Sequence, residues 1–382
     1  MSQACGVTLQ RFTRASNNLG IEILKRLPTS NEHNLISPYG VSLAMAMVYD
    51  GSRAATEQQL FEALGYQAAE LEGKTDVLTA VQLILLNQSF VSEDLSLQVA
   101  NAALVSEAYP VLEQYEQDLD KRFRATVIEM DFDAEDMPAV INDWVSEQTS
   151  EKITNVIDTF AADSRLIILN ALYFAGDWQV EFDVATTLTL PFFNSGEVPK
   201  PVETMSAFGT YNYSSNDYLD SDIVELPYKG GKFSMVVILP RRRSGIDDLL
   251  ARLDGSVLER ALDDLSEAQV HLRMPKLEIE SQYSLVRSLQ DLGVRSTFTR
   301  DADLSGVSSS TDLYVSDVVH KAVFEVDENG SDAAAQSSLD FEEIPSVKSD
   351  RADLFHADHP FLFCVRNIQS NLILLLGTVN VL

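Results

Sequence analysis

Between a strand-like run, Asp317-Val-Val-His-Lys-Ala-Val-Phe-Glu-Val326, and a second β-like start at Pro360-Phe-Leu-Phe363, the chain carries a tract of small side chains, Ser331-Asp-Ala-Ala-Ala-Gln-Ser-Ser338. A turn, Asp327-Glu-Asn-Gly330, precedes it and an acidic, irregular segment follows it to His359. Such a tract buries little in an exposed loop, and it makes sense if it becomes a buried strand. Strand side chains alternate between two faces. One set here is Ser331, Ala333, Ala335, Ser337, Leu339 and Phe341; the other is Asp332, Ala334, Gln336, Ser338, Asp340 and Glu342. The first suits a core and the second suits water, until Glu343 falls on the core side. The same alternation also suits an ordinary edge strand or a linker of small residues, because short alternations are common.

A chain of 382 residues with 45% hydrophobic content is long enough for a large core. It has no Pro/Gly/Ser-rich linker and no internal repeat, so one domain over residues 1–382 is expected. The formal charge of −30 repels nucleic acid and anionic membranes, and both are excluded as partners. Two cysteines, Cys5 and Cys364, make no disulfide framework, and Cys364 sits in an apolar run that buries it. No apolar run reaches transmembrane length. The N-terminus lacks the apolar core of a signal peptide, which fits either a cytoplasmic protein or the mature chain of a secreted one. Sequons at Asn87, Asn212 and Asn329 are glycosylation candidates and favour the extracellular alternative weakly.

Helical spacing runs from Leu9 to Leu27, and a short strand at Asn34 leads into a Pro-started helix from Pro38. Further helices are predicted over Thr56–Leu64, Tyr109–Phe123, Val140 to about Ile153, Ile246–Leu262 and Ser284–Leu292. Leu166–Phe174 is too apolar for an edge and predicts a central strand. Ile223–Pro227 and Phe233–Pro240 predict a hairpin, Val270–Ile279 a strand, and Asn371–Val381 a last strand. Helices first and strands later indicate an α+β fold.

The turn and the tract resemble the hinge and reactive-centre loop of the serpins, a family of serine protease inhibitors, through Glu328, Gly330, Ser331, Ala333, Ala334 and Ala335. The likeness extends over nearly the whole chain. It takes in Asn34-Leu-Ile-Ser-Pro38, Ile141-Asn-Asp-Trp144, Leu169-Asn-Ala-Leu-Tyr-Phe-Ala-Gly-Asp-Trp178, Met274-Pro-Lys-Leu277, His359-Pro-Phe361 and Gly377-Thr-Val-Asn380, in the family's order. In texture the chain is nearest to arthropod serpins of the tick salivary kind. The resemblance implies about nine helices and three β-sheets, with an exposed reactive-centre loop over about residues 328–358. It also implies a monomer that a serine or cysteine protease attacks, forming a covalent complex as the cut loop inserts into the main sheet. Loop insertion of this kind is a strand-addition switch.

By the same resemblance Ser37, Asn170 and His320 form the shutter beneath the central strands, and Trp178, Lys276 and Glu328 the breach where the loop enters. Gly40 departs from the family, which usually has a second Ser there. The helix matching the heparin-binding one lies near Asp76 to Asn87 and has no Lys or Arg between those positions, so heparin is not expected to bind. Arg241-Arg-Arg243 reads as a solvated turn. Family spacing from Gly330 puts the reactive bond after Ile344, but Pro345 then follows it, and its ring removes the backbone N–H. A register one residue shorter, Glu343–Ile344, avoids the block and calls for a protease with a basic pocket. Lys348 and Arg351 are the rival bait residues, in a longer loop, and suit trypsin-like enzymes.

An enzyme is not expected. None of the five His lies in a His-Glu-x-x-His arrangement, and neither a Gly-x-Ser-x-Gly elbow nor a Gly-x-Gly-x-x-Gly loop after a strand is present. Gly73-Lys74-Thr75 recurs at the end of phosphate loops, but Ala68 stands where that motif needs Gly. His356 and His359 read as solvated loop residues, and neither a metal nor a cofactor is expected. The alternative to an inhibitor is a non-inhibitory serpin that binds, carries or stores. The small residues on the hinge's core face favour inhibition.

Overall fold

The computed structural model describes residues 3–30, 32–87, 95–161, 163–330 and 352–382. In chain order its elements are α1 (Gln3–Leu24), β1 (His33–Ile36), α2 (Pro38–Gly51), α3 (Ala54–Ala63), α4 (Lys74–Asn87), β2 (Leu95–Ser106), α5 (Glu113–Asp118), β3 (Thr126–Met130), α6 (Met137–Gln148) and β4 (Leu166–Gly176). They continue with β5 (Leu188–Asn194), β6 (Val198–Asn216), β7 (Ser221–Pro227), β8 (Phe233–Pro240), α7 (Ile246–Arg252), α8 (Gly255–Asp263), β9 (Ser266–Pro275) and β10 (Leu277–Ser284). The last are α9 (Val286–Asp291), β11 (Val315–Val326), β12 (Asp353–His356), β13 (Phe361–Asn367) and β14 (Ile373–Val379).

The strands form two hydrogen-bonded networks. A five-stranded sheet runs β10-β11-β4-β2-β3, and a nine-stranded one runs β1-β14-β13-β8-β7-β6-β9-β12, with β5 attached to β6. The expected three sheets become two networks among the described residues because β6, 19 residues long, pairs with β7 at one end and with β5 and β9 along the rest. β4 is buried at every position and lies third of five. Its alternate side chains feed two cores. Leu166, Ile168, Leu172 and Phe174 join the large core shared with α1 and α2, and Ile167, Leu169, Ala171 and Tyr173 join a smaller core with Ile141 and Val145 of α6.

β11 runs parallel to β4 with partners from Val315/Leu166 to Phe324/Phe174. The hairpin β7–β8 forms as predicted and turns at Gly230 (φ +80°) and Gly231 (φ +63°). The run Val270–Ile279 does not stay one strand. Pro275 ends β9, the N–H of Lys276 donates to the Glu203 carbonyl, and β10 begins in the other sheet. The helix predicted from Tyr109 starts only at Glu113, because Pro110 disfavours helical backbone at Tyr109. α6 ends at Gln148 and not near Ile153, since Ser150 (φ +52°) and Glu151 (φ +64°) turn the chain away. No helix among the described residues is long and apolar enough to cross a membrane.

Candidate functional site

The site is built at the end of β11, where the chain leaves the sheet. The side chain of Asp327 accepts hydrogen bonds from the N–H groups of Asn329 (2.9 Å) and Gly330 (3.0 Å), which shapes the turn. The segment after β4 clasps this turn from outside. The N–H of Trp178 donates to the Asn329 carbonyl, the N–H of Phe182 to the Glu328 carbonyl, each at 2.8 Å, and the Trp178 indole to the Asp327 carbonyl at 2.9 Å. Trp178 is itself fixed by stacking on Tyr228, with centroids 4.6 Å apart. Gly330 has φ +132°, and a Cβ there would lie 2.1 Å from the Gly176 carbonyl oxygen. Only glycine fits that conformation and that approach.

Lys276 occupies the step between the two sheets, and its Nζ lies 2.9 Å from Glu328 Oε1. Thr187 Oγ1 donates to the same oxygen at 2.7 Å. The Glu328 side chain is 6% exposed. Burial alone would raise its pKa, but the hydrogen bonds from Thr187 and Lys276 and the lysine charge outweigh it and hold the carboxyl below its ordinary range. Lys276 is correspondingly raised, first by its hydrogen bond to Glu328.

Beneath this end, register places three polar side chains in one row across the sheet. His320 of β11 faces Asn170 of β4, which faces Asn101 of β2. The N–H of Ser37 donates to His320 Nε2 at 2.9 Å, so Nδ1 carries the proton and donates to Asn170 Oδ1 at 2.8 Å. Asn170 Nδ2 then donates to Asn101 Oδ1 at 2.6 Å. Burial lowers the pKa of His320 to about 3, so the ring is neutral. Ser37 also caps α2, its Oγ accepting from the N–H of Gly40 at 2.8 Å. The residue at 40 is glycine for a local reason: a Cβ there would stand 2.3 Å from Asn170 Oδ1.

Sequence reading thus named Ser37, Asn170 and His320, and the fold brings them together; it missed Asn101, whose place depends on strand register. Trp178, Lys276, Glu328 and Gly330 also converge. Ser331, Ala333, Ala334, Ala335, Glu343, Ile344, Lys348 and Arg351 lie outside the described residues. The side chain of Asn87 does too, whereas Asn212 donates to Glu225 Oε2 at 2.9 Å and Asn329 sits in the turn after β11.

Two expectations need correction. His359 is not a solvated loop residue: it is 6% exposed, with Nδ1 2.6 Å from Asp358 and Nε2 2.7 Å from the Pro240 carbonyl, and His356 is half-buried. Arg241–Arg243 is a paired turn and not merely solvated. Arg241 meets Asp217 at 2.8 Å, Arg242 meets Asp248 at 2.5 Å, and Arg243 lies over the Phe193 ring. α4 starts at Lys74, ahead of the predicted Asp76, but that ammonium is bound to Glu57 and to the carbonyls of Asp50 and Ser52. Among the described residues no group of three or more His, Cys, Asp or Glu could hold a metal ion.

Comparison with known proteins agrees with this geometry. The family model for serpins, described as serine protease inhibitors, matches residues 14–381. Iripin-8 of Ixodes ricinus is 40% identical over 97% of this chain and 94% of its own length, and Iripin-3 of the same tick is 38% identical over the same shares. The crystal structure of Serpin48 from the insect Tenebrio molitor superposes with a TM-score of 0.86 at 28% identity, covering 98% of each chain. The chain belongs to the serpin family.

Proposed function

We propose that this serpin is a suicide-substrate inhibitor of serine proteases, acting by cleavage of its reactive loop and insertion of the cut loop between β4 and β11. The observation that carries the reading is the seam between those two strands. They are parallel neighbours in the middle of the sheet, and the turn Asp327–Gly330 stands where β11 ends, at the top of that seam. A strand entering there from Ser331 would run antiparallel to both neighbours, which replaces one parallel ladder by two antiparallel ones. The small residues at Ser331, Ala333, Ala335 and Ser337 suit the core side of that strand. Opening the seam separates His320 from Asn170, so the shutter hydrogen bond acts as its latch.

Length supports the bait assignment. β11 has 12 residues, and a strand of equal length starting at Ser331 ends at Glu342. Glu343–Ile344 then follows as the reactive bond, with Lys348 and Arg351 as the rival positions. In the step proposed, the protease serine Oγ attacks the Glu343 carbonyl carbon. An ester forms, the Glu343–Ile344 C–N bond breaks, and the amine of Ile344 leaves with a proton. Insertion then competes with hydrolysis of that ester. Incubation with a panel of serine proteases, followed by denaturing electrophoresis, tests the reading. A complex that survives SDS is expected, and cleavage of the loop with no complex from any enzyme contradicts it.

A further inference from the structure

The linker that follows α6 lies across the β4–β11 seam. Its Ile153, Val156 and Ile157 share one core with Ile167 of β4 and Val319 of β11. The N–H groups of Val156 and Ile157 donate to Asn142 Oδ1 at 2.8 and 3.0 Å, and Gln282 Nε2 of β10 donates to the Val156 carbonyl at 2.7 Å. From Val156 to Ser164 the linker forms one wall of a cavity of about 490 Å³, and the start of β4, the end of β10 and the start of β11 form the other. That volume suits a small molecule. Three carboxylates line it, Asp158, Asp163 and Asp317, and no Lys or Arg does among the described residues. Asp158 accepts from Asn155 Nδ2 at 3.2 Å and Asp317 from Ser284 Oγ at 2.5 Å, so neither bond brings a positive charge. Arg165, which lies over the Tyr314 ring at 4.7 Å, is paired with Asp312 at 2.7 Å. Ile157, Phe160, Ile167, Tyr314 and Val319 give the cavity apolar and aromatic wall.

We propose that this cavity binds a small organic cation, a protonated amine on an aromatic body, and that the bound cation holds the seam shut. An ammonium set against carboxylates makes charge-assisted hydrogen bonds, and the apolar wall takes the body. The field of a chain with 58 Asp and Glu against 28 Lys and Arg draws cations toward it. Ile167 and Asp317 are direct partners across the seam, one from each strand. A strand entering between them moves them apart by about 4.8 Å and breaks up the wall they share. A ligand that needs both therefore binds the closed sheet in preference and opposes insertion by mass action. This second step rests on the inhibitory reading above, whereas the binding does not.

The probe is tryptamine, titrated into the intact protein by calorimetry. Tryptophol, its neutral counterpart, and ethylamine, the same cation without the ring, are titrated beside it. Tryptamine is expected to saturate with a Kd below about 1 mM, and the other two to bind at least about tenfold more weakly. Asp158→Asn/Asp163→Asn, at two exposed positions, is expected to raise the tryptamine Kd at least about tenfold. Asp143→Asn/Glu147→Gln, at exposed positions of α6 outside the cavity, is expected to leave it within about twofold. Absence of saturation, equal binding of ethylamine or tryptophol, or equal loss in the two double variants overturns the site. The seam is read with a protease that the unchanged protein traps. Saturating tryptamine is expected to lower the ratio of SDS-stable complex to cleaved protein at least about threefold, and to leave it unchanged in Asp158→Asn/Asp163→Asn, which accounts for any action on the protease itself. An unchanged ratio in the unaltered protein overturns the hold on the seam. If no protease is trapped, the inhibitory reading fails and the hold with it, and the titration alone decides the site.

Discussion

Lys276 Nζ and Glu328 Oε1 meet at 2.9 Å across the point where the chain passes from one sheet to the other, and Glu328 is the far more buried partner. The contact joins the β9–β10 step to the turn that follows β11. In the proposed mechanism, insertion disturbs this pair, the Thr187 hydrogen bond beside it and the Trp178 clasp.

Lys276→Ala therefore costs more than loss of a surface ion pair, which is worth about 0–1 kcal/mol. It leaves a buried carboxylate with Thr187 as its remaining side-chain donor, a cost of about 1–3 kcal/mol. The expected outcome is a lower unfolding midpoint in denaturant and faster spontaneous loss of inhibitory activity on storage. Unchanged values for both show that the pair does not hold the gate.

The neutral, buried His320 makes stability depend on pH. Below pH 6.5 the unfolded chain takes up a proton here that the folded chain refuses until about pH 3. Stability from this residue is complete above pH 6.5 and falls as pH drops through that window, by up to about 1.4 kcal/mol per pH unit. Burial also lowers His33 and His356, which act in the same direction. Denaturant midpoints measured between about pH 7.5 and about pH 5 are expected to fall with pH, and less steeply in His320→Gln. Equal slopes in the two proteins contradict the assignment.

Alternation puts Ala333 on the core side of an inserted strand. Ala333→Arg brings a charge to that face at a cost of several kcal/mol, slows insertion and turns inhibitor into substrate. Folding and loop cleavage are expected to persist while SDS-stable complex disappears. A full yield of complex from this variant rules out insertion along this register.

The bait bond is read from the peptide released when complex forms. Mass spectrometry is expected to find a C-terminal fragment starting at Ile344. A fragment starting at Ser349 or Ala352 instead assigns the bait to Lys348 or Arg351 and makes trypsin-like enzymes the targets.

Local pattern carried much of this fold. A run apolar at all but Asn170 marked β4 as central, and Gly230-Gly231 marked the β7–β8 turn, because burial and turn chemistry are written in adjacent residues. Features set by distant partners were not legible. Asn101 joins the polar row only through the β2–β4 register. His359 is buried because Pro240 offers it a carbonyl, and Arg241 is paired because Asp217 lies beside it in space. The switch of sheets at Lys276 was hidden because the strand pattern continues on both sides of Pro275.

The central claim is that the intact fold holds its main sheet open to one more strand. Thermal unfolding of the intact protein against the same protein cut once in its loop tests it most directly. Insertion adds ladder hydrogen bonds and buried apolar area, so the cleaved form is expected to melt roughly 20 °C or more above the intact form. Coincident melting of the two forms contradicts the account.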